Sequence, residues 1–381
     1  MLRRAILIGA SLVIILALWG ASRSSTFVET VYARHLGAWI TEISSRVSGL
    51  VPISIAELAL ACVVLYVVVP FVRAIANVAR RRRSIGNAIA GESLRLVTFA
   101  VLVVTFAYAA WGLNYARASF ASRVGWSPIP RPASSAESQQ QTEEIAAIAS
   151  DLVLAGNANY REFSGSDDLG HPSSITGGVD TFDAAIEAAY SRVQERLHLE
   201  PAVATRRGPV KTLIASVAMS YLQLTGFYFP WTGEANVNGV APAATMPLTI
   251  AHEKAHQRGI AREDEANFVG FLACIMSDDP YVRYSGYFFA SRQILGELSV
   301  RAPEVAHQIA LTRSAGIRRD MEYIQTHWQQ YEGAAARVSE RVNNTFIRTA
   351  GDRRGTAAYA ASRSLIVLYA RNNGGKVSGT R

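Results

Sequence analysis

Three long apolar segments stand out in the first third of the chain. They cover about residues 5–21, 53–72 and 94–113. Each approaches the roughly 20 apolar residues that a helix needs to cross a bilayer. Two arginines precede the first segment, as in a secretory signal, but its apolar core is longer than that of a signal and two more spans follow. We therefore expect an uncleaved anchor and a membrane domain of three transmembrane helices over residues 1–116.

A weaker pattern separates the first two spans. Between residues 26 and 48, apolar residues recur at helical spacing, and Phe27, Val31, Trp39 and Ile43 are among them. Polar residues lie between them, so the segment has an apolar and a polar face. We expect one or two short helices that lie on the membrane surface or against a soluble domain.

Beyond the third span, helical periodicity returns after a break. Residues 117–141 are rich in Pro, Ser and Gln and predict a linker, and the Gly-, Ser- and Asp-rich residues 163–179 predict a loop. Helical patterns occur near residues 142–156, 180–199, 209–224, 280–300, 302–315, 317–347 and 355–372. We expect a largely helical domain over residues 142–373 and a frayed tail over residues 374–381.

The most specific pattern in the chain is His252-Glu253-Lys254-Ala255-His256, an H-E-x-x-H run. Pro247 suits the first turn of a helix and Gly259 suits its end, so the run lies on a predicted helix. Two histidines four residues apart share one face of that helix, where their imidazoles can bind one Zn²⁺. Glu253 stands beside them to accept a proton from water. The alternative is an ordinary solvated helix face.

A catalytic zinc needs a third protein ligand and keeps one position open. An acidic run follows Gly259 and begins a second predicted helix, in which Glu263 is the first choice for this ligand and Glu265 the second. The two point to nearly opposite sides, since two residues correspond to about 200° of rotation. Glu263 shares its face with Asn267, which we expect to accept the other N–H of a ligating histidine. The alternatives are a favourable charge at a helix N-terminus and a packing role for Asn267.

A segment that begins aromatic and then alternates polar and small residues leads into the metal helix. It covers residues 226–238 and predicts an extended segment or hairpin beside the site, where strand addition would bind a peptide backbone. The candidates to line the cleft are Glu234, Asn236 and Asn238. A loop that caps its own turns is the alternative. Tyr284 and Tyr287 are candidates to stabilise an oxyanion, although aromatic residues in such a run are more often core.

Charge sets the expected orientation. The chain carries a formal net charge of +8, and four consecutive arginines, Arg80 to Arg83, lie between the second and third spans. The positive-inside rule places this loop and the N-terminus in the cytoplasm, so three spans put the C-terminal domain outside it. We expect a multi-pass protein of a bacterial plasma (inner) membrane. Because the basic run lies between two spans, it is expected to contact lipid headgroups, and nucleic acid is not an expected partner.

These residues also carry a resemblance that covers nearly the full length. The chain resembles the bacterial membrane family named domain of unknown function 3810. The matching segments are Phe27-Val28-Glu29, Pro52-Ile53-Ser54, Trp111 to Arg117, Phe227 to Pro230, Thr232 to Asn238 and His252 to Phe268. The resemblance implies a multi-span membrane protein with a metallopeptidase-like domain and does not supply a substrate.

The metal segment is also similar to that of gluzincin peptidases, whose third ligand is a glutamate four residues before an aspartate. Glu263 occupies that ligand position, and Asn267 stands where the aspartate would be. The His-x-x-Gly turn resembles that of metzincins, but Arg262 stands where their third histidine would be. The chain therefore resembles both groups in part.

The patterns predict a mainly α fold, with three transmembrane helices and then a largely helical, zincin-like domain with a small hairpin before the metal helix. The expected function is that of a membrane-anchored zinc hydrolase, a peptidase acting on a peptide or protein outside the cytoplasm. The alternative is a non-catalytic, zinc-stabilised envelope sensor or peptide-binding module. The complete motif argues against it, because a structural zinc site has no need of Glu253. No particular oligomeric state is indicated.

Overall fold

Three long apolar helices form the membrane part of the protein. In the computed structural model, which describes residues 2–174 and 178–378, they are α1 (Leu2–Ser22), α4 (Ile55–Ala79) and α5 (Ile85–Ala110). They contain 21, 25 and 26 residues, enough to cross a hydrocarbon core about 30 Å thick. Most of their apolar side chains are exposed, which leaves them for lipid contact. The prediction of three membrane-spanning helices is confirmed.

The third span begins and ends earlier than the predicted residues 94–113. Helix α5 ends at Ala110, because Trp111 leaves the helical conformation with φ of −147° and a 3-10 turn, Gly112–Ala116, follows. The apolar pattern continues into this turn, so the sequence placed the end of the span too late. Helix α4 continues beyond the predicted residue 72, to Ala79, because its polar flank remains helical.

The two ends of the membrane helices differ in what they contact. The arginines 80–83 connect α4 to α5, and the Arg4 guanidinium donates a hydrogen bond to the Gly91 carbonyl (3.3 Å) near the same end. At the other end, the Glu234 carboxylate accepts hydrogen bonds from the first backbone N–H groups of α4. The arginine cluster and the C-terminal domain therefore lie at opposite ends of the spans.

Short helices connect α1 to α4, as the pattern over residues 26–48 predicted. They are α2 (Ser25–Phe27), a π-helix (Val28–Leu36) and α3 (Gly37–Ser48). Glu42 on α3 pairs with Arg207 (3.4 Å), and the Lys211 ammonium donates to the Ser48 carbonyl (3.2 Å). Of the two predicted placements, these contacts establish packing against the domain.

The C-terminal part is mainly helical, as predicted. Its helices are α6 (Phe120–Arg123), α7 (Ser135–Ser164), α8 (Val179–Leu197), α9 (Ser216–Tyr221), α10 (Met246–Gln257), α11 (Glu263–Ile275), α12 (Pro280–Arg301), α13 (Pro303–Leu311), α14 (Ala315–Gln329), α15 (Ala334–Thr349) and α16 (Ser362–Arg371), with 3-10 turns at Pro201–Val203, Ala243–Thr245 and Gly355–Ala361. Helices α10 and α11 lie at its centre, where every residue of both is buried. The domain is therefore built around the helix that carries the H-E-x-x-H run.

A small sheet lies beside α10. Its strands are β1 (Lys211–Thr212), β2 (Gly226–Phe229) and β3 (Glu234–Val237), in the order β1-β3-β2. Strands β2 and β3 form an antiparallel hairpin, in which Gly226 pairs with Val237 and Phe229 with Glu234. The predicted hairpin before the metal helix is confirmed, and β2 is its outer strand.

Several predicted boundaries differ from the structure. Residues 117–141 are not a continuous linker, because Phe120 is buried against Phe268 (ring centroids 5.3 Å apart) and α7 already begins at Ser135. The Ser- and Gln-rich composition of the first turns of α7 concealed the helix. The patterns over 209–224 and 317–347 each span two elements, β1 with α9 and α14 with α15.

The C-terminal tail is ordered as far as residue 378. Val377 is fully buried, and the backbone N–H groups of Val377 and Ser378 donate to the Asp151 carboxylate (2.8 and 2.9 Å). The prediction of fraying over residues 374–381 is therefore wrong for this part, because a side chain on α7 satisfies the tail's backbone donors. Residues 379–381, and residues 175–177 of the predicted loop 163–179, lie outside the described residues.

Candidate metal centre and active site

Two histidines on α10 face each other one helical turn apart. Pro247 occupies the first turn of α10, and Gly259 takes a left-handed conformation (φ +78°) just after its end, so the helix covers the predicted residues. The His252 and His256 Nε2 atoms are 3.0 Å apart, and both residues are buried. The four-residue spacing thus directs both rings to one point.

Glu263 completes a group of three at that point. The turn at Gly259 reverses the chain, and Glu263 is the first residue of α11. One oxygen of its carboxylate, Oε2, lies 3.3 Å from His252 Nε2 and 3.6 Å from His256 Nε2. The described residues hold no other group of three His, Cys, Asp or Glu side chains with this spacing.

The outer nitrogens of both imidazoles are hydrogen-bonded to oxygens. His256 Nδ1 lies 2.7 Å from the Ile260 carbonyl, and His252 Nδ1 lies 2.8 Å from Asn267 Oδ1. The Asn267 amide nitrogen donates to the Tyr359 carbonyl (3.1 Å), which is consistent with its oxygen facing His252. Oxygens of these kinds only accept, so each Nδ1 carries a proton and each Nε2 is the ring position left for a cation or a second proton. Asn267 thus occupies the position predicted for it.

The three inward-facing atoms fit a zinc ion. Zinc bonds of about 2.0–2.2 Å in tetrahedral geometry place ligand atoms about 3.3 Å apart, and the three distances here are 3.0, 3.3 and 3.6 Å. Two lone pairs and a carboxylate oxygen repel one another when buried together, unless a cation or protons lie between them. Glu263 Oε2 also has no hydrogen-bond partner among the described residues. The donor set of two imidazoles and one carboxylate is that of a zinc site with an open position.

The local electrostatics agree with a site for a cation. Burial lowers the pKa of the His256 imidazole, but the Glu263 carboxylate outweighs this effect and raises the pKa to about 9. Burial raises the pKa of Glu263, but the two imidazoles outweigh it and hold that pKa far below its usual value. The carboxylate is therefore ionised at neutral pH and favours positive charge beside it.

Glu253 lies next to this group and is held against β2. It is buried, and its Oε2 has no hydrogen-bond partner in the described part of the chain. Burial raises the pKa of its carboxyl, while the neighbouring imidazoles and a hydrogen bond from the Tyr228 backbone lower it. At Gly226 a Cβ atom would lie 2.9 Å from Glu253 Oε1, so only glycine lets β2 approach this closely. Glu253 therefore has one oxygen available for a proton.

Glu265, the second choice for the third ligand, lies elsewhere. Its carboxylate accepts hydrogen bonds from the Phe120 backbone N–H (2.9 Å) and from Arg123 (2.8 Å). It also pairs with Arg262 at 3.2 Å. The two-residue offset from Glu263 turns it to the far side of α11, as the rotation argument requires. It connects α6 to α11 and does not face the histidines.

The candidates Glu234 and Asn236 on β3, and Asn238 just after this strand, do not line the cavity either. The Glu234 carboxylate accepts from the Ile55 and Ala56 N–H groups (3.0 and 2.7 Å) and so caps α4. Asn236 accepts from the Ser54 hydroxyl (2.7 Å), and Asn238 donates to Ser220 and the Leu224 carbonyl. Because β3 is the central strand, these side chains are buried and serve the alternative, structural role.

The two candidate tyrosines on α12 belong to the core. The Tyr284 hydroxyl donates to Asp320 (2.7 Å), and its ring lies edge-on against Tyr160. Tyr287 is buried in the same hydrophobic cluster. Neither faces His252, so the oxyanion role predicted for them does not agree with their position. Both tyrosines are core residues, which is the more common role of aromatic residues in such a run.

One cavity contains all three candidate metal ligands and Glu253. It has a volume of about 1480 Å³. Two phenols that the sequence did not single out, Tyr115 and Tyr359, also line it. Burial, with the Glu263 carboxylate nearby, raises the pKa of both phenols well above the ordinary value, so both stay protonated. Tyr115 lies in one of the segments that carried the family resemblance, whereas Tyr359 had no recognisable signal.

A buried ion network supports the far side of α10. The Lys254 ammonium pairs with Asp183 (2.9 Å) and Glu187 (2.7 Å), and Arg258 pairs with Glu187 (2.9 Å). Burial raises the pKa of Glu187, but Arg258 and Lys254 outweigh it and lower the pKa to about 2. Lys254 on α10 and Arg258 just after it thus connect this helix to α8.

The turn after α5 contacts the metal helix directly. The Trp111 indole N–H donates to the His256 carbonyl (3.3 Å), and the Trp111 ring lies edge-on to the His256 ring (centroids 5.8 Å apart). Arg117 pairs with Glu29 (3.0 Å) and Glu200 (2.5 Å). The third span therefore joins the site with no intervening linker.

The chain matches a protein-family model over most of its length. Residues 32–367 match the family model described as "Protein of unknown function (DUF3810)". No curated protein and no solved structure matches the chain. The family model covers most of the chain, and the chain therefore belongs to the DUF3810 family.

Proposed function

We propose that this protein is a membrane-bound, zinc-dependent peptidase whose domain lies outside the cytoplasm of a bacterial cell. One observation carries the proposal. The two histidine Nε2 atoms and the Glu263 carboxylate converge on one buried point, and the free oxygen of Glu253 lies beside it. A purely structural zinc site has four protein ligands and no need of an adjacent buried carboxylate.

Each residue of the site has a distinct task in this proposal. His252, His256 and Glu263 would hold the ion, which supplies Lewis acidity to lower the pKa of a water and to polarise a carbonyl. Glu253 accepts a proton from the attacking water and delivers it to the leaving amine. Burial, which raises the pKa of Glu253, makes it a better base for this transfer.

The substrate backbone would bind along β2. This strand is at the edge of the sheet, and Gly226, Phe227 and Tyr228 line the cavity. An extended peptide added to this edge would place its carbonyl near Glu253, which is 2.9 Å from the position of a Cβ on Gly226. Tyr115 and Tyr359, which remain protonated, are two groups that can donate a hydrogen bond to an oxyanion.

The orientation follows from the arginine cluster. Residues 80–83 lie at the end of the spans opposite to the domain, and the positive-inside rule places such a cluster in the cytoplasm. The domain and its metal centre would then face the periplasm or the cell exterior, with the N-terminus in the cytoplasm.

The first test is the zinc content of the purified full-length protein. Wild type should hold one zinc per chain, and Glu263→Ala should lose it. Glu265→Ala is the matched control, because its side chain is an equally buried acid of α11 that faces Arg123 instead. Zinc-free wild type under metal-replete conditions would contradict the metal site. Zinc retained by Glu263→Ala would remove Glu263 from the ligands.

A further inference from the structure

The cavity of the metal centre continues into the membrane part of the protein. Its walls include side chains of two spans, which we call the membrane trough. They are Ile15 and Leu16 of α1, and Val103, Val104 and Ala107 of α5. None of these five carries a polar side-chain atom. The same cavity contains His252, Glu253 and His256 at its other end.

The trough reaches well into the hydrocarbon layer. Val103 lies seven residues before Ala110, the last residue of α5, and Ile15 lies seven residues before Ser22, the last residue of α1. At about 1.5 Å per residue this is about 10 Å along both spans. The hydrocarbon core is about 30 Å thick, so the trough covers about a third of it, on the side of the domain.

Helix α15 forms an apolar wall on the domain side. Val338, Val342 and Phe346 recur every four residues on one face, line the cavity and are 54%, 63% and 56% exposed. Arg337, Arg341 and Arg348 occupy other faces of the helix. An amphipathic helix with basic flanks and an exposed apolar face lies in the membrane interface.

The rim of the trough marks the level of that interface. Arg23 follows α1, and its guanidinium lies 4.3 Å from the centre of the Trp19 ring; both residues line the cavity. Arg and Trp are typical of the zone between hydrocarbon and water. The metal-binding side chains therefore lie at the membrane surface, and the trough lies below it.

The trough and β2 set opposite requirements on an occupant. Strand β2 suits an extended peptide, whose backbone needs hydrogen-bond partners. Apart from Trp19, Ser22 and Tyr108 near its rim, the side chains of α1 and α5 that line the cavity are apolar. An extended backbone deeper in the trough would therefore leave its N–H and C=O groups unpaired at a high free-energy cost. An alkyl chain has no such groups. The cavity volume of about 1480 Å³ also exceeds the roughly 300–1,000 Å³ of ordinary small-molecule pockets.

We propose that the substrate is a lipid-anchored peptide, whose alkyl chain lies in the membrane trough while the adjoining peptide extends along β2 to the metal centre. This inference rests on the proposed peptidase function. It deepens that proposal by naming the substrate class and its route, which is lateral, from the outer half of the bilayer.

The test uses full-length Glu253→Gln protein in lipid nanodiscs, loaded with zinc. The probe is a degenerate octapeptide library with an N-terminal palmitoyl chain that carries a diazirine at its middle. On irradiation, the diazirine should label Leu16 and Val104. Ala107→Trp fills the trough and should reduce labelling about tenfold, because losing contact with two methylene groups costs roughly this much. Ala100→Trp is the matched control, since Ala100 is exposed on the same helix and does not line the cavity. Val104→Trp serves as a second filling variant, read at Leu16.

Labels outside the trough, or equal labelling of the filling variant Ala107→Trp and the control Ala100→Trp, would overturn the inference. Equal labelling by a diazirine phospholipid with no peptide would also overturn it, because the trough would then hold bulk lipid. If an unacylated transmembrane peptide reduced labelling more strongly than the palmitoyl peptide does, the occupant of the trough would be a helix and the inference would be overturned.

Zinc content and cleavage by wild type are measured in parallel with the palmitoyl and acetyl forms of the library. Cleavage of both forms at equal rates would refute the inference and leave the peptidase intact. Trough labelling without cleavage of either form would refute the peptidase alone.

Discussion

Helices α10 and α15 line the same cavity and differ in how they are held. All 12 residues of α10 are buried, and Lys254 on this helix and Arg258 just after it form ion pairs with α8. Of the 16 residues of α15 only Ile347 is buried, and the apolar side chains that face the cavity are exposed. The difference separates two tasks. The wall that carries the candidate metal site is fixed by burial on every side, whereas the wall formed by α15 offers an exposed apolar surface.

The largest effect is expected at the buried wall, from Glu253→Gln. The amide keeps the size of the side chain but cannot accept a proton, so activity should fall about 10²–10⁴-fold. Zinc content should remain at one per chain, because Glu253 is not a ligand. Turnover is measured on a cleaved peptide from a library, with elemental analysis on the same sample. Undiminished turnover would exclude Glu253 from proton transfer.

The next largest effect is expected from the ion pairs that connect α10 to α8. Glu187→Gln removes a carboxylate. The pKa of this carboxyl is lowered from 4.5 to about 2, so the free energy of unfolding should fall by about 3 kcal/mol at pH 7. The stabilisation is complete above the unfolded pKa and is lost as the pH falls through the folded pKa. The difference between wild type and variant should therefore shrink between about pH 4.5 and pH 2.

Chemical denaturation across this pH range measures the difference. Glu195→Gln is the matched control on α8, because Glu195 is exposed. If Glu195→Gln destabilised the protein as much as Glu187→Gln, the lost stability could not be assigned to the buried ion pairs between α8 and α10.

A smaller effect is expected from the residue that orients His252. Asn267→Ala removes the oxygen at 2.8 Å from His252 Nδ1, and zinc affinity should fall about 10–100-fold. Asn267→Asp retains an acceptor at this position and should keep the affinity near that of wild type. Competition with a chelator measures both. Equal affinities for all three proteins would show that the ring is held by its helix alone.

The smallest effect on stability is expected at the open wall. Val342→Ser should change the free energy of unfolding by about 0.5 kcal/mol or less, because the side chain is 63% exposed. Ile347→Ser, on the same helix, should cost about 2 kcal/mol or more, because Ile347 is fully buried. Thermal unfolding in detergent compares them. Equal losses would mean that the cavity-facing side of α15 is packed and not open.

The local parts of the site could be predicted from the sequence. The two histidines meet because four residues make one helical turn, and Glu263 joins them after a turn only a few residues long. Asn267 follows Glu263 by another turn of the helix. In each case the residues lie close in the sequence, so helical geometry alone places them.

The parts that failed depend on contacts between distant segments. The polar residues of β3 looked like cleft residues because polar alternation marks one face of a strand. That face meets the start of α4, which lies about 180 positions earlier, and no periodicity indicates this partner. Tyr359 lies about 100 residues after the two histidines, and no periodicity indicates that it lines the same cavity. The three spans needed no such information, since length and apolarity suffice.

The hydrogen bond between Trp111 and the His256 carbonyl has a consequence for where a bond can be cut. Because the end of α5 is attached directly to α10, the position of the candidate metal centre relative to the third span is fixed. A substrate with a membrane anchor would then be cut at a set number of residues from that anchor, whatever its side chains. Selection by distance instead of by sequence would let one enzyme act on many unrelated peptides.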